Sequence, residues 1–104
     1  MSVKLLMNWD IKPGQDQEYF EFLVREWAPG ILKLGVQASG AWYTVYSRDE
    51  ETPQILQEII AEDLLLMKRV LSSDDWKELH DRLQEYVDNY AQKIVRVTSG
   101  DFQF

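Results

Sequence analysis

Histidine and cysteine usage limits the chemistry that this chain can perform. His80, in the stretch SDDWKELHDRL, is the only histidine of the sequence, and there is no cysteine. Imidazole exchanges protons near neutral pH, so His80 is a candidate general base. Without cysteine the chain has no thiolate nucleophile, no disulfide and no sulfur-ligated zinc.

The surroundings of His80 favour a structural role over a catalytic one. Apolar residues continue at helical spacing from Trp76 as far as Ile94, so the pattern predicts one long amphipathic helix with His80 at the border of its buried stripe. Asp81 is adjacent in sequence but points elsewhere on a helix, so it cannot orient the ring. Within the same helix, Glu78 and Arg82 are spaced for an ion pair.

Other chemical motifs are absent or weak, so we predict neither a metal nor a cofactor. The stretch QASGAW lacks the G-x-S-x-G spacing of a nucleophile elbow, and no phosphate loop or dinucleotide fingerprint occurs. Glu58, Glu62 and Asp63 could surround a hard cation, but such carboxylates more commonly form a solvated acidic edge.

Charge and hydropathy exclude several classes of partner. The chain is acidic, with a formal charge of −7, which disfavours binding to nucleic acid or to an anionic membrane surface. No apolar run approaches the length of a membrane span, and the N-terminus does not resemble a signal peptide. Together with the missing cysteines, this predicts a cytoplasmic protein.

Strand and helix patterns alternate in an order typical of a known α+β fold. The predicted strands are VKLLMNWDI, VQASGAWYTVYS, QILQEIIAE and KIVRV, and the third of them has a helical alternative. The predicted helices start at Gln15, at Glu62 and at a cap formed by Ser72 or Ser73, with a kink or restart at Pro29 and a tail turn at Gly100. The first helical region is expected to bury one stripe, made of Phe20, Leu23, Val24, Trp27, Ile31 and Leu34. This order predicts a single ferredoxin-like βαββαβ domain over residues 1–104. Its four-stranded antiparallel sheet carries the helices on one face.

The other face of that sheet has no predicted cover. Trp42 and Tyr43 are neighbours in a strand, so their side chains point to opposite faces and only one of them can meet the helices. On the first strand, Val3, Leu5, Met7 and Trp9 share the predicted core face, and Asn8 lies on the other, mixed face. A bare aromatic face implies a partner or ligand, and a second copy of the chain is the simplest partner.

The element order also resembles the dimeric α/β-barrel superfamily, which includes antibiotic-biosynthesis-type monooxygenases and NIPSNAP-type proteins. The features that carry this resemblance are the opening LLMNWDIKPGQDQEYFEFL, the helix end WAPGILKLG, the strand WYTVYS and the closing YVDNYAQKIVRV. The resemblance implies a homodimer joined through its sheets, with a pocket on each subunit. The first strand holds no histidine, unlike the stress-responsive barrel proteins of the same group.

Two functional hypotheses follow. The first is a cofactor-independent monooxygenase-like enzyme that acts on a small hydrophobic or aromatic molecule at the sheet face. Its catalytic candidates are Asn8 and His80, and its substrate-binding candidates are Trp42, Tyr43 and Tyr46. The alternative is a non-enzymatic module for binding a small ligand or for dimerisation.

Overall fold

The structure is a computed structural model, and it describes residues 1–97. The tail turn predicted at Gly100 lies outside these residues. The elements in chain order are β1 Val3–Ile11, α1 Asp16–Phe22, a π-helical turn Leu23–Trp27, α2 Ala28–Lys33, β2 Gln37–Tyr43, β3 Ile55–Ala61, α3 Leu64–Leu71, α4 Asp74–Gln84 and β4 Val87–Arg96.

The four strands form one antiparallel sheet in the order β2-β3-β1-β4. This is the strand order of a ferredoxin-like βαββαβ arrangement, so the predicted fold class is confirmed. The helices lie on one face, and the opposite face is left open. Strand β1 is central, and its register places Met7 opposite Gln57 on one side and Gln92 on the other.

The core lies between β1 and the helices. Alternate residues of β1 are buried, as the period of two requires, and its intervening residues are only partly buried. The buried members are Val3, Leu5, Met7, Trp9 and Ile11. On β3 the same face carries Ile55, Ile59 and Ala61. The sequence pattern therefore identified the buried face of β1 correctly.

A π-helical turn divides the first helical region. Of the predicted stripe, Trp27 and Ile31 are buried as expected, but Phe20 and Val24 are exposed. Tyr19 and Phe22 are buried in their place. The π turn explains the difference, because it adds a residue to one turn and shifts the buried face by one position. The new helical segment α2 starts at Ala28, beside Pro29, which confirms the predicted restart. Gly35 follows with a φ of 84° that glycine adopts without strain.

Helix α4 begins as predicted but ends earlier. Ser73 caps it, since its hydroxyl oxygen accepts a hydrogen bond from the Trp76 amide at 3.2 Å. The prediction that the helix continues to Ile94 is wrong, because it ends at Gln84 and residues Val87–Arg96 form β4. Pairing with β1 overrides the helical spacing, since it satisfies the backbone groups along the free edge of the central strand.

Two smaller expectations on the helices and β2 are also corrected. Arg82 pairs with Glu26 of the π turn at 2.7 Å and not with Glu78. Strand β2 ends at Tyr43, so Val45 and Tyr46 belong to the connection and not to the strand.

Among residues 1–97 there is no helix whose length and apolar character would let it cross a membrane.

Candidate functional site

The open face of the sheet carries an apolar row around one ion pair. Lys4 and Glu58 are joined at 2.9 Å across β1 and β3. By register, Leu6, Asn8 and Leu56 lie on this same face. Large apolar side chains beside a half-buried ion pair make this face suitable for covering by another protein surface.

Trp42 also lies on the open face, where its indole lies along its own strand. A Cβ added to Gly40 would come within 2.7 Å of the Trp42 ring, so the ring occupies the space above the glycine backbone. About half of Trp42 is exposed, at 53%. Asn8 and Trp42, two of the predicted site residues, therefore share one face on either side of β3.

Tyr43 and Tyr46 do not join them. Tyr43 points to the helix side, where its ring stacks with Phe20 at 6.4 Å between centroids. Tyr46 follows the strand and is 70% exposed. The three predicted substrate-binding aromatics are thus distributed over two faces and a loop, and His80 lies on the helix side with Tyr43.

His80 is one member of a closed ring of aromatic contacts beneath the helices. The Trp9 ring contacts the rings of Trp27 and Tyr90, with 5.8 Å between ring centroids in each pair. The centroid distance is 5.9 Å from Trp27 to Trp76 and 5.6 Å from Trp76 to His80. The ring of His80 meets that of Tyr90 edge-on, with 4.6 Å between centroids. The imidazole is therefore held as a packing group between two larger rings.

The ionisable groups near this ring favour their neutral forms. Burial lowers the pKa of His80, and the nearby Asp81 carboxylate only partly offsets this. Burial raises the pKa of Tyr19 to about 12, although the hydrogen bond from the Trp9 indole at 3.0 Å acts in the opposite direction. Burial also raises the pKa of Tyr90. Both tyrosines therefore remain protonated at neutral pH.

The lowered pKa of His80 predicts a pH-dependent stability. His80 binds a proton more tightly in the unfolded chain than in the folded one. Its contribution to the free energy of unfolding is therefore complete above the ordinary pKa of 6.5 and declines as the pH falls below that value. His80→Gln removes the titration while keeping a polar side chain. Denaturant unfolding measures the free energy of unfolding at pH 7.5 and at pH 5.5. Between these two pH values the wild type should lose more of it than His80→Gln. Parallel losses in both proteins would show that His80 does not titrate differently on folding.

A cleft of about 500 Å³ opens on the helix side, between the first helical region and β2. The cleft exists because the side chains of β2 that face the helices here are small, namely Ala38 and Ala41. At the equivalent positions the central strands carry larger side chains. Its lining is mostly apolar and includes Trp27, Ala28, Ile31, Ala38, Ala41 and Gln57. The π turn borders the cleft, and such turns are frequent at functional sites. The lining contains no ionisable side chain, and His80 is not part of it.

Gln57 supplies the amide side chain of this lining, and sequence reasoning missed it. Its carbonyl oxygen accepts a hydrogen bond from the Trp27 indole nitrogen at 2.9 Å. The alternation Ile55, Gln57, Ile59 contained a signal, since it places an amide where the pattern requires an apolar residue. The sequence could not show that α2 leaves space above that amide.

Two of the three acidic residues considered for a metal have other partners. Glu58 is paired with Lys4, and the Asp63 side chain caps α3 through the Leu66 amide at 2.8 Å. Over the described part of the chain, no group of three or more histidine, aspartate or glutamate side chains is arranged to hold a metal ion.

Comparison with known proteins gives structural neighbours but no sequence family. No protein-family model matches the chain, and no curated protein sequence matches it. An EthD-family protein from Bacillus halodurans superposes with a TM-score of 0.74 at 19% identity, covering 92% of this chain and 98% of its own. A NIPSNAP-like domain protein from Burkholderia xenovorans gives 0.69 at 19% identity, with 94% and 86% covered.

A third neighbour bears on assembly. It is a dimeric protein of unknown function with a ferredoxin-like fold from Bacteroides fragilis, with a TM-score of 0.57, 12% identity, and 90% and 94% of the two chains covered. The chain has the ferredoxin-like fold. The resemblance drawn from the sequence is therefore confirmed at the level of fold, because the structural neighbours are NIPSNAP-like and EthD-family proteins.

Proposed function

We propose that the protein is a homodimer in which each subunit binds a small, flat, largely apolar molecule in the cleft between the π turn and β2. The observation that carries this proposal is the cleft itself. Its volume of about 500 Å³ falls within the usual range for small-molecule sites. Its mostly apolar lining with a single amide side chain is also typical of such sites.

The open face supports the homodimer. Leu56 and Trp42 are partly exposed there, beside the Lys4–Glu58 ion pair. A two-fold axis would place this face against the same face of the second subunit. The apolar side chains of one subunit would then pack on those of the other, and each ion pair could meet opposite charges of its copy. The Bacteroides fragilis neighbour is described as dimeric, which supports the same assembly for this chain. The cysteine-free composition is consistent with our proposal of a cytoplasmic location.

A cofactor-independent oxygenase is the second candidate, and the resemblance to monooxygenases supports it. In such a reaction an electron-rich aromatic substrate supplies the reducing power, so an apolar cleft is a suitable environment. The cleft lining has no acid or base, however, and His80 is separated from it by Trp76 and Trp27. This arrangement favours ligand binding as the primary activity.

A thermal-shift screen with planar aromatic compounds tests the proposal. A compound that fills the cleft at a hundredfold excess over its Kd should stabilise the protein by ~2.7 kcal/mol. For a domain of this size, that corresponds to a rise in Tm of about 10 °C or more. Stabilisation by hydrophilic or charged compounds alone would contradict the proposal. Oxygen uptake with each binding compound then separates an oxygenase from a binding module.

A further inference from the structure

Gln57 is an exception in the layer where the sheet meets the helices. The helix-facing positions of the two central strands are otherwise apolar: Val3, Leu5, Met7, Trp9 and Ile11 on β1, and Ile55, Ile59 and Ala61 on β3. An amide in such a layer needs hydrogen-bond partners, because burying it without them costs free energy. Packing alone does not explain a glutamine at this position.

Trp27 fixes the orientation of this amide. An indole nitrogen can only donate a hydrogen bond, so the Gln57 atom that lies 2.9 Å from it must be the carbonyl oxygen. The amide nitrogen therefore points away from Trp27. Within residues 1–97 no protein atom accepts a hydrogen bond from that nitrogen, and Gln57 lines the cleft. Gln57 therefore gives the cleft a donor whose orientation Trp27 fixes.

We infer that Gln57 selects the ligand, and that the cleft takes flat apolar molecules that carry one acceptor oxygen, such as aryl ketones or quinones. The Gln57 amide nitrogen donates to this oxygen, while the remaining ring surface contacts Ile31, Ala38 and Ala41. This inference rests on the proposed function, since it names the ligand class of the same cleft. Trp27 is a positioning residue, because it acts on the ligand through Gln57.

The same geometry gives a reason for discrimination. A hydrocarbon of equal shape would displace water from the amide nitrogen without replacing its hydrogen bond. A carbonyl compound restores that bond. A neutral hydrogen bond of this kind contributes about 1 kcal/mol, so we expect roughly a fivefold preference for the carbonyl compound.

The test compares 2-acetylnaphthalene with 2-isopropenylnaphthalene, in which a CH₂ group replaces the carbonyl oxygen. The wild-type protein should bind the ketone roughly fivefold more tightly, and Gln57→Leu should bind the two compounds about equally. A preference that survives in Gln57→Leu would overturn the inference. Equal binding of both compounds by the wild type would also overturn it, while leaving the proposed cleft intact. Failure of both compounds to bind would count against the proposed function as well.

A second variant and a spectroscopic measurement guard against misfolding of Gln57→Leu. Gln57→Glu keeps an acceptor for the Trp27 indole but, when ionised at pH 8, offers the ligand no donor, so the ketone preference should be lost or reversed. In ¹⁵N-correlated NMR spectra of the wild type, the Gln57 side-chain amide signals should shift with the ketone. They should shift much less with the hydrocarbon. Equal shifts with both compounds would contradict a hydrogen bond from Gln57.

Discussion

Replacing Leu56 with lysine should convert the protein from a dimer to a monomer. Leu56 lies on the open face of β3, opposite Asn8 and Trp42 on the neighbouring strands. In a two-fold dimer each substitution acts twice. Losing a buried leucine costs about 2 kcal/mol per subunit, so the Kd for dimerisation should rise roughly a thousandfold. Sedimentation at micromolar concentration would measure the change.

Leu65→Lys provides a matched control. Leu65 is also an exposed leucine, at 67%, but it lies on α3 and not on the sheet. Its replacement introduces the same charge and should leave the dimer unchanged. If the wild-type protein is a monomer at these concentrations, or if Leu65→Lys dissociates it as Leu56→Lys does, the proposed interface is wrong.

Ala41→Phe should abolish ligand binding without destabilising the protein. Ala41 faces the helices opposite Gln57, and its small side chain leaves the cleft open. A phenyl ring at this position would occupy the ligand's space, so affinity for any compound found in the thermal-shift screen should fall about a hundredfold or more. The added ring also covers apolar surface, so we expect a stability gain of ~1 kcal/mol. Calorimetric titration and denaturant unfolding measure the two effects.

The opposite signs of these two effects make the result specific. A variant that has lost binding because it misfolds would also lose stability. Val45→Phe introduces the same side chain in the connection after β2, where Val45 is 92% exposed, and should change neither quantity. Undiminished affinity in Ala41→Phe would show that the ligand binds elsewhere.

The sequence predicted the elements whose signals are local. The alternation of β1 identified its buried face, and the two serines at 72 and 73 with the acidic residues after them located the start of α4. Pro29 identified the restart of the first helical region. The opposite directions of Trp42 and Tyr43 followed from the period of a strand, and the structure places them on opposite faces.

The sequence failed where two local patterns were equally compatible with the same residues. Trp76, Leu79 and Leu83 continue at helical spacing into Val87 and Tyr90, and only the pairing of residues 87–96 with β1 makes the latter part a strand. The π turn likewise has no local signature, yet with it Tyr19 and Phe22 are buried where the pattern predicted Phe20 and Val24. Both outcomes depend on contacts with residues distant in the chain.

The candidate site shows the same division. By itself the sequence determined the composition: one histidine, no cysteine, many aromatic residues, and an element order that specifies the ferredoxin-like sheet with an open face. Tertiary structure decided which of these groups meet. It held His80 between Trp76 and Tyr90, and it joined Trp27 to Gln57 beside a cleft. The physical reason is that strand and helix periods assign a side chain to a face, whereas empty space and hydrogen-bond partners arise only when separate elements pack.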